Sequence, residues 1–468
     1  MSSGEQPIEA YPYIPNSTPA IRGRMLREAG VASADELYAV IPERLRLGRR
    51  LNIPDGMVGE YELRTHIEQL LQRNQHTREV LSFLGGGCWP HFVPAVCDEI
   101  ASRGEFLTAY HDGSNSMLGS YQAQFEFQSM MGALTGLEMV STTVYDWGTA
   151  AASSIMMAAR LTGRTHVVVP ALMSPIRRRQ LRAIAGPTVA IEDCSWDAKS
   201  GSLDLDRLEQ SISSATAAVY VEVPGYLGTL EPHVKEIGEI AHRNGALFVV
   251  GVDPISLGVL AAPASYGADI VCGDIQPLGI HMYLGGGMAG FIATPHDAAY
   301  IRECPTLLVS ILETQEADEY AFGWWNFEKS WYAYRGDSHD FAGTTQTIWA
   351  IVAATYLSVM GPQGLRDVGD AILARSGYAL EQLAKIPGLT APVFEEGSHF
   401  KEFVVRIDRK DMSVPDVMTA LRARGIYGGI DLTSDLPALG KSALICVTEV
   451  HSGGDIDRLA LALGEVLR

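Results

Sequence analysis

Two aspartates, Asp253 and Asp274, follow two apolar stretches and are the first candidates for chemistry in this chain. The stretches, residues 247–252 and 270–273, have the composition of buried β-strands. Because the carboxyl ends of parallel strands open on a shared crevice, we expect both carboxylates to lie at the same edge of a sheet. A carboxylate in such a crevice can pair with a cationic group of a bound ligand.

The spacing around these aspartates is typical of pyridoxal-phosphate (PLP) enzymes with the aspartate aminotransferase fold. In that arrangement the first carboxylate pairs with the pyridinium nitrogen, and a lysine that follows the second strand forms the Schiff base. Here Pro277 stands at about the position of that lysine, and no lysine occurs between Lys235 and Lys329. The pattern therefore predicts the scaffold of a PLP enzyme without its covalent anchor, and no catalytic residue can be assigned.

Further candidates for a ligand site precede these strands. Gly148 and Thr149 stand at a predicted helix start, where free N–H groups can bind a phosphate, although small residues at a helix start are as often only packing. His91 follows three glycines, 85–87, which indicate a tight loop. We retain His91, Tyr110 and Tyr145 as candidates for the substrate crevice. For His91 the sequence favours a structural role over a place in the crevice. For Asp253 the two interpretations are equally simple, because an aspartate at a strand end can cap the next helix.

The chain alternates between strand and helix patterns from residue 166 onwards. This alternation predicts a large α/β domain with a doubly wound, mostly parallel sheet. After Gly361 and Pro362 the pattern changes to that of a small C-terminal α+β domain. The predicted organisation is an N-terminal helical arm at 1–80, a large domain at 81–361 and a small domain at 362–468.

Composition excludes several classes of partner. The chain has 468 residues, a formal net charge of −19 and 47% hydrophobic residues, which disfavours nucleic acid and anionic membranes as partners. Six cysteines are scattered without a CxxC pair, so we expect free buried thiols and no metal site. The N-terminus lacks a basic segment followed by an apolar one, and we therefore expect a cytoplasmic protein.

Motifs over nearly the whole length carry a resemblance to a known family. The chain resembles subunit 1, or the N-terminal half, of glycine decarboxylase, the P-protein of the glycine cleavage system, also called aminomethyl-transferring glycine dehydrogenase. The most specific matches are VVGVDPISLG at 249–258, YGADIV at 266–271, QPLGI at 276–280, GGIDL at 428–432 and CVTE at 446–449. The resemblance implies a PLP-dependent transferase of fold type I.

The resemblance also implies partners. In two-subunit members the Schiff-base lysine belongs to a paralogous subunit 2, and the two chains form an α2β2 assembly. The family reaction removes CO2 from glycine on PLP and passes the aminomethyl group to the lipoyl arm of H-protein. By this resemblance PLP is bound by the partner subunit, with Asp253, Gly148 and Thr149 as remnants of a cofactor site in this chain.

Several loops depart from the family pattern. Residues 111–119 and 335–346 differ from the polar and basic segments of the family, and Trp147 replaces a glycine in the motif YDGATA. These changes favour a divergent member that acts on glycine or a related amino acid. Two alternatives stay open at this point: a non-catalytic paralogue that supports its partner or binds a ligand, and a divergent enzyme with a different amino-acid-derived substrate.

Overall fold

The computed structural model describes residues 14, 16–49, 51–54, 56–57, 59–77, 79–107, 118–306, 308–325, 342 and 346–468. The chain forms two compact units, residues 1–74 and 75–468. The first unit contains helices α1 (Pro19–Glu28), α2 (Ala34–Leu37) and α3 (Glu60–Leu71), and none of their residues is buried. The predicted boundaries at residues 80 and 361 stay predictions.

A seven-stranded sheet forms the centre of the second unit. Its strands are β2 (Met139–Val140), β3 (His166–Pro170), β4 (Ala190–Cys194), β5 (Thr216–Val223), β6 (Leu247–Val252), β7 (Ile270–Asp274) and β8 (Gly290–Thr294). The order is β2-β8-β7-β6-β5-β3-β4, and only the pairs made by β8 are antiparallel. The predicted mostly parallel, doubly wound sheet is therefore confirmed.

Helices cover both faces of this sheet because its inner strands β5, β6 and β7 are apolar on both sides. Alternate residues of one strand belong to different cores: Val250 and Val252 pack into one, and Val249 packs into the other. The helices that precede or connect the strands are α4 (Ala95–Ala101), α5 (Gly104–Leu107), α6 (Leu118–Thr135), α7 (Trp147–Thr162), α8 (Pro175–Ile184), α9 (Leu205–Ser211), α10 (Val234–Arg243) and α11 (Ala298–Glu303). This burial on both faces explains the nearly continuous apolar runs in the sequence.

A long helix, α12 (Thr347–Leu383), leads to the C-terminal elements. It is long and apolar enough in composition to cross a membrane, but its first half packs in the core through residues such as Val352 and Tyr356. The helix is broken at Gly361, which has φ 60° and ψ −178°, and Pro362 follows. The break lies where the sequence pattern changes, because proline cannot donate the helical hydrogen bond.

The C-terminal elements form an antiparallel sheet of the strands β11 (Leu389–Thr390), β12 (Glu402–Ile407), β14 (Ile430–Asp431) and β15 (Ser442–Cys446). Their order in the sheet is β11-β12-β15-β14. Two helices, α13 (Val414–Arg422) and α14 (Gly453–Val466), pack on it around Phe403, Ile445 and Leu459. The other strands within the described residues are β1 (Leu81–Ser82), β9 (Leu308–Glu313), β10 (Tyr320–Trp325) and β13 (Ile426–Tyr427).

Candidate functional site

Asp253 lies at the carboxyl end of β6, as the sequence pattern predicts, and is only 3% exposed. Its Oδ1 atom accepts a hydrogen bond from the Ile255 N–H at 3.1 Å and so caps the short 3-10 helix Pro254–Gly258. Its Oδ2 atom accepts a hydrogen bond from the Lys401 ammonium at 2.5 Å. The carboxylate therefore has partners for both oxygens within this chain.

Lys401 is the residue directly before β12, and its side chain lies in the crevice as a buried cation. Its side chain is 1% exposed, and its Nζ atom lies 2.9 Å from His91 Nε2. The same atom lies 4.1 Å from the ring centroid of Trp89, which is the geometry of a cation–π contact. Carboxylate, imidazole and indole together replace the water that a buried ammonium loses.

His91 is fixed in one tautomer by its two partners. A lysine ammonium has no acceptor, so His91 Nε2 must accept its hydrogen bond. The proton of the neutral ring is then on Nδ1, which donates to Glu449 Oε2 at 2.8 Å. The other oxygen of Glu449, Oε1, accepts from the Phe92 N–H at 2.8 Å, so the loop that carries His91 supplies donors to both oxygens of this carboxylate. Both nitrogens of His91 are engaged, although the residue lines a cleft of about 540 Å³.

Gly148 and Thr149 lie at the first turn of α7, as predicted, but carboxylates of this chain already contact that turn. Asp146 Oδ1 accepts from the Thr149 N–H at 2.7 Å, and Asp274 Oδ2 accepts from the Trp147 N–H at 3.1 Å. Burial raises the pKa of Asp274 to about 7, against the effect of its backbone hydrogen bonds. The helix terminus therefore holds internal anionic groups where a phosphate would need free N–H donors.

Trp147 fills the space between this helix terminus and the sheet. Its Nε1–H donates to the Tyr220 hydroxyl at 3.1 Å, and that hydroxyl donates to Glu222 Oε1 at 3.0 Å. Arg177 binds both oxygens of Glu222, at 2.8 and 2.7 Å, and its guanidinium carbon lies 4.2 Å from the Trp147 ring centroid. The indole also covers Gly251, two residues before Asp253, where an added Cβ would lie 2.9 Å from Trp147 Nε1.

The described residues around Asp253 leave almost no space. A cavity of about 10 Å³ remains between Trp89, Trp147, Arg177, Asp253 and Lys401, which is at the lower limit for a single water molecule. Pro277 is buried at the position expected for the Schiff-base lysine and offers no amine. The residues present here therefore do not fit PLP. Trp147 fills the space beside Asp253, and Lys401 binds the carboxylate that would pair with a pyridinium nitrogen. Asp146 and Asp274 contact the helix turn that would bind a phosphate.

Tyr145, another candidate from the sequence, does not line this cavity. Tyr145 precedes α7 and is 45% exposed. Tyr110 lies outside the described residues, as do most of segments 111–119 and 335–346. Gln276 has a structural role, because its side chain binds both the N–H and the carbonyl of Trp89, at 3.0 and 3.1 Å, and so fixes the loop that carries His91.

Sequence reasoning missed Lys401, Glu402 and the pair Arg177–Glu222. The family pattern places a lysine near Asp274 in the sequence, whereas Lys401 and Asp253 are 148 positions apart. One signal was present: Lys401 directly precedes an apolar strand and Glu402 begins it, and charged residues are uncommon in such a buried position unless they are paired. Glu449 belongs to the motif CVTE, so the sequence identified the motif without its contact to His91.

Glu402 introduces a pH dependence into this region. Its Oε1 atom accepts from the Gly86 N–H at 2.6 Å. Burial raises the pKa of Glu402 to about 7, although the Gly86 hydrogen bond and the charges of Lys401 and Arg177 act in the opposite direction. Tyr226 and Cys446 also face this carboxyl group.

We expect replacement of Glu402 by glutamine to flatten the pH dependence of stability. The folded state holds this proton up to about pH 7, while the unfolded chain releases it near 4.5, so the free energy of unfolding falls as pH rises between these values. Relative to the native chain, E402Q should gain up to about 3 kcal/mol between pH 5 and pH 8. Denaturant titrations at both pH values measure this gain. The matched control is exposed Glu395→Gln, and an equal, pH-independent effect in both variants would contradict the assignment.

The mostly parallel sheet, with a carboxylate at the end of β6 facing the crevice, defines the class: the chain has the fold of a type I PLP-dependent transferase. The family profile described as glycine cleavage system P-protein matches residues 12–463. The chain belongs to this family.

Similar proteins cover nearly all of the chain. A relative from Staphylothermus marinus, named probable glycine dehydrogenase (decarboxylating) subunit 1, is 35% identical over 98% of this chain and 99% of its own length. A relative of the same name from Thermococcus onnurineus is 37% identical, with 97% and 99% covered. The crystal structure of an inhibitor-bound glycine decarboxylase (P-protein) superposes with a TM-score of 0.86 at 33% identity, covering 98% of this chain and 100% of that one.

A more distant neighbour shares the fold alone. The sphingosine-1-phosphate lyase of Burkholderia pseudomallei superposes with a TM-score of 0.64 at 16% identity, over 91% of this chain and 94% of that one. The similarities therefore confirm the predicted fold type and the predicted family.

Proposed function

We propose that this chain is the lysine-free subunit of a two-subunit glycine decarboxylase, and that a paralogous subunit 2 binds the PLP. The observation that carries the proposal is the occupied pocket: Lys401 pairs with Asp253, and Trp147 fills the space beside it. A chain with this pocket supplies no cofactor site of its own. Its relatives are nevertheless named as a subunit of glycine dehydrogenase, which supports a role inside a larger enzyme.

The assembly that we propose is an α2β2 heterotetramer in the cytoplasm. The exposed apolar residues of the N-terminal unit support this, because side chains such as Tyr61, Leu63 and Leu71 are 84%, 47% and 59% exposed on α3. Obligate subunit interfaces commonly bury about 2,000 Å² or more, and apolar helices are typical of them. In this proposal the amino-acid substrate is glycine or a related amino acid, and a lipoyl carrier protein accepts the aminomethyl group.

We expect the isolated chain to be colourless after incubation with PLP and removal of the free PLP by dialysis, because the pocket around Asp253 has no space and Pro277 offers no amine. The mixture with the proposed subunit 2 should show the absorbance of protein-bound PLP, and the mass of the complex should correspond to two copies of each chain. Absorbance spectra and light scattering on each chain alone and on the mixture measure both results. A borohydride-stable PLP adduct on this chain would contradict the proposal.

An assay of glycine decarboxylation provides the second test of the proposed function. The mixture should exchange labelled bicarbonate into the carboxyl group of glycine when a lipoyl carrier protein is present, and neither chain should do so alone. Exchange into another small amino acid, but not into glycine, would identify the divergent substrate that the changed loops suggest. A paralogue that is fully active without this chain would leave this chain as a non-catalytic scaffold.

A further inference from the structure

The ammonium group of Lys401 is held by a set of side chains with the chemistry of a binding site. Asp253 supplies a carboxylate at 2.5 Å, His91 supplies a neutral imidazole acceptor at 2.9 Å, and Trp89 supplies an aromatic face at 4.1 Å. A charged acceptor, a neutral acceptor and an indole face are the elements that proteins use to recognise ammonium ligands. Here all of these elements face a lysine of the same chain.

The backbone around Lys401 is adapted to this contact. Lys401 has φ 65°, which side-chain-bearing residues rarely adopt, and it follows a segment that approaches Gly228 closely. The Phe400 N–H donates to the Gly228 carbonyl at 2.9 Å, and a Cβ at residue 228 would overlap the carbonyl group of Glu402. The chain therefore keeps an unfavourable backbone conformation at the point where the lysine side chain enters the pocket.

The surrounding charges are consistent with a permanently bound cation. Glu449 accepts from His91 on the side away from Lys401, and this interaction orients the imidazole lone pair toward the ammonium. Further titratable groups near the lysine or its neighbours are Glu402, Arg177, Tyr356 and the Cys446 thiol. Arg177 is already bound to Glu222, so Lys401 is the cation that directly contacts Asp253 among the described residues.

We propose that Asp253, His91 and Trp89 form an ammonium-binding site that Lys401 of the same chain occupies as an internal ligand. The lysine supplies the positive charge that a cofactor's ring nitrogen would otherwise bring to Asp253, and it closes the pocket to external ligands. This inference concerns the pocket of this chain alone and does not depend on the identity of the partner subunit.

Chemical rescue tests the proposal. In the full chain, Lys401→Ala removes a three-carbon amine and leaves Asp253 buried without its cation, so the melting temperature should fall by about 5 °C or more. n-Propylammonium has the atoms that were removed and should raise the melting temperature of this variant in a saturable way. It should leave the native chain unchanged, and n-propanol, which has the same shape without the charge, should not rescue the variant. The double variant Lys401→Ala with Asp253→Asn should lose the response to n-propylammonium.

A second pair of variants tests the proposal if the first variant does not fold. Lys401→Met keeps most of the volume but not the charge, and adding Asp253→Asn removes the unpaired carboxylate. The double variant should regain most of the melting temperature that the single variant loses. Exposed Lys199→Ala, which loses only a surface pair with Glu396, is the matched control and should not respond to amine. Equal rescue by n-propanol, or a double variant no more stable than Lys401→Met, would overturn the proposal.

Discussion

Replacing Arg177 with methionine is expected to lower the free energy of unfolding by about 4 kcal/mol, because it leaves Glu222 as an uncompensated buried charge. The pair is almost completely buried, with 7% of the Arg177 side chain and 1% of the Glu222 side chain exposed. The substitution also removes the guanidinium from the faces of Trp147 and Tyr226, at 4.2 and 5.8 Å from their centroids. Loss of these contacts adds to the cost of the unpaired carboxylate.

Chemical denaturation of the purified chain measures this effect. The matched control is Arg179→Met, because Arg179 lies on the same helix, α8, with an exposed side chain. That variant should change the free energy of unfolding by less than about 0.5 kcal/mol. Combining Arg177→Met with Glu222→Met should restore a large part of the loss, since the double variant buries no charge. Equal stability of the Arg177 and Arg179 variants would show that the buried pair does not support the fold.

Replacing Gly228 with alanine is expected to have an effect of similar size, about 4 kcal/mol, through the backbone. Gly228 has φ 79°, a conformation that costs alanine about 1 kcal/mol or more. The larger cost comes from the overlap of the new Cβ with the carbonyl group of Glu402, which is main chain and cannot rotate away. Relief of this overlap would move the segment that carries Lys401 and Glu402, so the pocket should open as the chain loses stability.

Gly163→Ala is the matched control for this substitution. Gly163 ends α7 with φ 67°, and no atom outside its own neighbourhood lies within 4 Å of an added Cβ. This variant should therefore lose only the conformational cost of about 1 kcal/mol. Thermal unfolding of both variants separates the two contributions, and equal losses would mean that the contact with Glu402 is not a constraint.

Local patterns in the sequence were sufficient to predict the scaffold. Strands β6 and β7 coincide with the two predicted apolar stretches to within one residue, because a strand buried on both faces requires an apolar run in any context. The position of Asp253 at a strand end was also predictable, because it follows directly from the apolar run at residues 247–252. The break at Gly361 is also local, since it depends on one glycine and the proline that follows.

The chemistry of the pocket could not be predicted in the same way. The spacing of Asp253, Gly148 and Thr149 along the sequence is that of a cofactor site. The spacing is the same whether the site is open or is filled by Asp146, Asp274 and Trp147. Side chains of the same type can face a ligand or each other, and spacing along the chain does not distinguish these cases. An open site and a filled site differ in the volume that remains between the packed side chains, and this volume is a property of the tertiary structure.

The sequence by itself determined the fold type, the family and the absence of a lysine in the segment directly after β7. The tertiary structure alone decided that Lys401 meets Asp253 across 148 positions of sequence. Their contact depends on the close approach at Gly228, on the backbone conformation of Lys401 and on the loop that carries His91 and Trp89. Each of these is set by packing between distant segments, so a pattern in neighbouring residues carries no information about it.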